Sequence, residues 1–106
     1  MKKIKTLSGV GSEIKYEHGY CIKWGKTNFS ISDGNFNAIL EEFFKDKNKW
    51  YPLGASETEP MSGGLGEYLY EFPNLNSRHA SAIAAIMVEE KLIEAKGKKP
   101  ILLRKL

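Results

Sequence analysis

The chain has 106 residues, 42% hydrophobic and 27% charged, with a formal net charge of +3. That balance suits a single domain with one modest core and is too apolar for a disordered tail. The longest apolar run, 82–88, falls far short of the roughly 20 residues a spanning helix needs, so no membrane partner is expected.

The start, Met-Lys-Lys-Ile-Lys, is basic, but no apolar stretch or small-residue cleavage site follows. It therefore predicts no signal peptide and a cytoplasmic location. Residues 1–11, with Gly9 and Gly11, read as loose chain or an edge segment. Residues 13–17 alternate polar and apolar, as a half-buried strand does. Residues 20–24 and 27–31 resume that pattern after turns at His18-Gly19 and Gly25-Lys26, which predicts an antiparallel hairpin or three-stranded meander over 1–32. Cys21 is the lone cysteine. It allows no internal disulfide, suits a reducing compartment and reads as a small buried hydrophobe.

A first helix starts at a cap, Ser32 or Asp33, because Phe36, Ile39, Leu40 and Phe43 recur on one helical face. Trp50 to Leu53 is a short strand interrupted by Pro52. After a loop over 54–62, Leu65, Tyr68, Leu69 and Phe72 mark a second helix, capped by Ser62 and ended by Pro73. A tight turn leads to a third helix, capped by Ser77 or Asn76, with Ala80, Ile83, Ala84, Met87 and Val88 as its apolar stripe. Residues 92–95 and 100–106 close the chain as a hairpin around a basic tip at Lys96, Lys98 and Lys99.

Taken together, 33–106 run helix, short strand, helix, tight turn, helix, strand, basic turn, strand. With the stretch Arg78 to Ile93, that order resembles the winged helix-turn-helix family of DNA-binding domains. The expectation is an α+β protein: a winged helix-turn-helix unit of three helices and a β-wing over 33–106, with the strands of 1–32 packed on it as part of one compact domain. Leu75 would plug the corner of the turn.

The resemblance implies a non-enzymatic partner of duplex DNA, a transcriptional or phage or plasmid regulator, with 77–90 as recognition helix and 92–106 as wing. Such a helix puts its N-terminal residues against base edges, here Ser77, Arg78, His79 and Ser81. The small face of Ala82 and Ala85 would allow close approach to the groove. Arg78 can give two hydrogen bonds to guanine, or form a surface ion pair with a carboxylate such as Glu71. Lys96, Lys98, Lys99, Arg104 and Lys105 can neutralise phosphates, or be a solvated terminus. Ser62, Gly63 and Gly64 offer free amides at a helix start for a phosphate, or merely shape the loop.

Charge is distributed unevenly. Residues 1–32 hold six lysines against two glutamates, 33–72 three lysines against eight acids, and 73–106 seven basic residues against three glutamates. Such a chain can turn a cationic face to a polyanion, or show only the ordinary scatter of surface charge. The alternative reading is a protein-interaction module, an inhibitor or adaptor, with Tyr20, Trp24, Trp50 and Tyr51 as interface anchors or as core-packing residues, and with a homodimer also open. No catalytic site, metal or cofactor is expected. Gly25-Lys26-Thr27 lacks the register of a phosphate loop, His18 and Cys21 have no second ligand pair, and Glu57 with Glu59 would hold a cation weakly at best.

Overall fold

The computed structural model describes residues 2–7, 13–17, 21–54, 62–97 and 101–106. Four strands open the chain: β1 (Lys2–Ile4), β2 (Ile14–Glu17), β3 (Cys21–Trp24) and β4 (Thr27–Ser30). They form an antiparallel meander in the order β1-β2-β3-β4. The alternation read in 13–17 is realised: Ile14 and Tyr16 are buried while Lys15 and Glu17 are exposed. Gly25 takes φ 61°, as the first position of a two-residue hairpin turn between Trp24 and Thr27 requires. Strand β1, in the segment read as loose chain or edge, is an edge strand. Cys21 is exposed, contrary to expectation. Ile22 points inward, and the two-residue period then turns Cys21 out.

Helix α1 (Asp33–Ala38) begins where Ser32 Oγ accepts the Asn35 N–H at 3.1 Å. It runs into a π-helical turn, Ile39–Phe43. Strand β5 is Tyr51–Pro52. Helix α2 (Leu65–Tyr68) is a single turn continued by a 3₁₀ turn, Leu69–Glu71. Helix α3 is His79–Glu89, and β6 (Ile93–Lys96) and β7 (Leu102–Lys105) follow. The second sheet is antiparallel in the order β5-β7-β6.

The protein is a small α+β protein, but the winged helix-turn-helix architecture expected for 33–106 does not hold. Among the described residues there are seven strands in two antiparallel sheets and three short helices. The first sheet is a four-stranded meander, one strand more than the larger of the two arrangements expected, a hairpin or a three-stranded meander. Helix α3 is buried nearly all round: Ala80, Ala82, Ile83, Ala84, Ile86 and Met87 have no exposed surface and Ala85 has 3%. A helix apolar on every side belongs between layers, and here the first sheet supplies one of them. Lys2 on β1 meets Glu89 and Glu90 at the C-terminal end of α3. At the other end, Thr27 and Phe29 on β4 meet Arg78 and His79. Four strands at a spacing of about 4.8 Å cover about 14 Å, nearly the ~16 Å length of an eleven-residue helix. The first sheet therefore covers α3 from end to end.

The exit of α3 contains a correctable strain. The Leu92 N–H donates to the Met87 carbonyl at 2.9 Å and the Lys91 N–H to the Val88 carbonyl at 3.0 Å. These two bonds place Lys91 at a left-handed C-terminal position, with φ 62°. Glycine adopts that conformation without the clash a Cβ meets. Lys91→Gly should stabilise the fold by roughly 1 kcal/mol, read as a higher urea midpoint at unchanged m-value.

Candidate polyanion-binding face

Helix α3 does not present the groove-reading surface expected of it. Ser77 is fully buried and faces the Tyr70 hydroxyl at 3.3 Å, while His79 is 9% exposed and stacks on Phe29 at 4.2 Å. Ala82 and Ala85, expected along the groove wall, are inside. Ser77 does not cap the helix either. Asn76 Oδ1 accepts the Arg78 N–H at 3.0 Å, and His79 Nδ1 accepts the Asn76 N–H at 3.2 Å. Arg78 is exposed, but its guanidinium donates to Thr27 Oγ1 at 2.9 Å and lies 5.5 Å from the Trp24 ring centre. It ties the first sheet to the start of α3 instead of pairing with Glu71. Ser81 is half-buried.

Two charges of the expected wing are paired within the fold. Arg104 pairs with Glu94 at 2.8 Å and Lys105 with Glu41 at 3.2 Å. Lys96 and Arg104 both lie over the Trp50 ring, at 4.1 and 4.5 Å. Lys98 and Lys99 fall outside the described residues, as do His18, Tyr20, Glu57 and Glu59. At the start of α2 the cap is Gly64, not Ser62. The Gly63 N–H donates to Glu67 Oε1 at 3.3 Å. The chain's own carboxylate thus occupies the end at which a phosphate was expected.

The exposed face of the first sheet has a different character. Burying Ile14, Tyr16 and Ile22 turns Lys15 and Lys23 outward. Register then sets Lys3 opposite Lys15, Lys15 opposite Lys23, and Lys23 opposite Asn28. Three lysines therefore lie in one row across three adjacent strands, with Cα atoms about 5 Å apart. Among the described residues no ion pair or hydrogen bond engages any of the three side chains. Beside the row lies a shallow depression of about 310 Å³, lined by Glu13, Lys15, Lys23, Gly25 and Asn28. No single-strand pattern reveals this row, since each lysine comes from a different strand. The signal within reach was the excess of lysine in 1–32 combined with the alternation of 13–17.

Two titratable groups elsewhere are held within the fold. Burial, and then a hydrogen bond to Glu42 at 3.2 Å, push the Tyr68 hydroxyl up to about 12. A hydrogen bond to Glu89 holds the Lys2 ammonium above the usual lysine range. Among the described residues no three His, Cys, Asp or Glu side chains gather to hold a metal ion, and no helix is long and apolar enough to cross a membrane. No family model, curated protein or solved structure matches the chain.

Proposed function

We propose that this chain is a non-enzymatic nucleic-acid-binding protein that holds the phosphodiester backbone against the outer face of its first sheet. The observation supporting this reading is the Lys3–Lys15–Lys23 row. Like charges directly opposite one another in a sheet are unfavourable, and no carboxylate among the described residues closes on these three. A polyanion relieves that repulsion. The row spans about 10 Å, and three phosphates at the axial rise of one strand, roughly 3.4 Å, span about 7 Å, a difference that flexible lysine side chains can take up.

Three neutralised phosphates give a definite salt dependence. Between 50 and 200 mM salt, affinity should fall by about 20-fold for a single strand and about 40-fold for a duplex. Fluorescence anisotropy with labelled oligonucleotides reads this directly. Replacing Lys3, Lys15 and Lys23 together by glutamine should weaken low-salt binding and flatten the salt slope. An unchanged slope in that variant, or no binding by the parent chain at low salt, would remove the reading and turn the row toward an acidic protein partner.

A further inference from the structure

The depression beside the lysine row is not built for phosphate alone. Its lining includes Glu13, together with Lys15, Lys23 and Asn28. Glu13 sits two residues before Lys15 on the same exposed face, yet it forms no ion pair with Lys15 or Lys23. A carboxylate repels phosphate and accepts N–H donors, while an asparagine amide both donates and accepts. The lining thus pairs cations for a backbone with hydrogen-bonding groups suited to a base edge. Its volume of about 310 Å³ lies at the lower end of small-molecule sites. Gly25, at the rim, contributes no side chain.

We infer that this depression receives one unpaired guanine nucleotide of a single strand, with Glu13 accepting from the base and Lys15 and Lys23 holding the flanking phosphates. The inference rests on the nucleic-acid reading above and adds the ligand class. Guanine is the one common base whose Watson–Crick edge offers two adjacent N–H donors, at N1 and N2, to both oxygens of a carboxylate. Its O6 then accepts from the Asn28 amide or a lysine ammonium. Adenine and cytosine each set an acceptor nitrogen beside their amino group, and thymine flanks its single N–H with two carbonyls, so all three turn an acceptor toward Glu13. In a duplex the guanine edge is already taken by cytosine, so the nucleotide must be unpaired.

The test is anisotropy at low salt with a labelled ten-nucleotide oligo(dT), and with the same oligomer carrying one central guanine, adenine or hypoxanthine. Guanine should bind about tenfold more tightly than oligo(dT), as one bidentate base contact does. Adenine should give no gain, and hypoxanthine, which keeps N1–H but lacks the N2 amine, an intermediate one. Glu13→Gln is an exposed substitution that should leave the fold intact. It should erase most of the guanine gain and, by removing a negative charge beside Lys15 and Lys23, bind oligo(dT) at least as tightly as the parent chain. Equal, salt-sensitive binding of all four oligomers would overturn the guanine site while sparing the backbone reading. Failure of every oligomer to bind would overturn both. An undiminished guanine preference in Glu13→Gln would show that Glu13 does not read the base.

Discussion

Gly66→Ala should lower the melting temperature by roughly 12–20 °C, one of the two largest single-residue effects expected in this protein. A Cβ at Gly66 would collide with the Gly54 carbonyl oxygen and lie 2.9 Å from the Gly54 carbonyl carbon and 3.0 Å from Ser77 Cβ. The first two are backbone atoms and cannot rotate aside. Relief requires α2 to move away from the segment that leaves β5, and that segment is pinned. The Gly66 N–H donates to the Leu53 carbonyl at 2.9 Å, and the Leu53 N–H donates to the Ile101 carbonyl at 2.9 Å. Overpacking against a fixed backbone with loss of a buried hydrogen bond costs roughly 3 kcal/mol or more. Two other glycines separate this steric effect from backbone conformation. Gly63 has φ +76° but open space around it, so alanine there should cost only about 1 kcal/mol. Gly34, helical and with its nearest neighbour at 4.0 Å, should tolerate alanine with a gain of up to about 1 kcal/mol. Similar melting temperatures for all three variants would mean that α2 does not approach Gly54 this closely.

The order of elements could be read from the chain because it depends on local signals. Ser32 caps α1, alternation marks β2, and a positive-φ glycine closes the β3–β4 hairpin. What surrounds each element is a non-local property, and there the expectation failed. The sequence of α3 fits a helix with one apolar stripe and a small-residue groove face. It fits equally a helix buried on every side, since alanine serves both. The surface that decides between them comes from β4, about fifty residues earlier in the chain, where Phe29 stacks on His79 and Thr27 accepts from Arg78. A family resemblance based on element order carries no information about such a layer.

The candidate face shows the same limit. Lys3, Lys15 and Lys23 are unremarkable one at a time, and only cross-strand register puts them in a row. A shift of one residue would send every side chain of the shifted strand to the opposite face, so the burial of Ile14, Tyr16 and Ile22 is what fixes the row. The wing lysines and arginine stood out because they are close in sequence. Yet Glu94 and Glu41 pair with two of these charges, Arg104 and Lys105, in the folded chain.

Phe44→Ala should cost about 3–5 kcal/mol, enough to remove much of the stability of a domain this size. The periodic reading of α1 stopped its apolar stripe at Phe43 because in a regular α-helix Phe44 falls at the stripe's margin. The turn is instead π-helical, closed by the Phe44 N–H on the Ile39 carbonyl at 3.3 Å. That wider turn stacks residue 44 over residue 39. Phe44 is consequently fully buried, with its ring edge-on to Phe43 at 4.8 Å and to Tyr51 at 5.6 Å. It joins α1 to the second sheet through β5, so truncation opens a cavity where two layers meet and neither can collapse alone. Phe44→Leu fills most of that volume and should lose much less, about 1–1.5 kcal/mol. Urea unfolding reads both variants, with the midpoint falling and the m-value unchanged. A loss below about 1 kcal/mol for Phe44→Ala would place the ring in solvent. The helix would then continue in regular α register past Phe43, and the packing of α1 on β5 would need a different anchor.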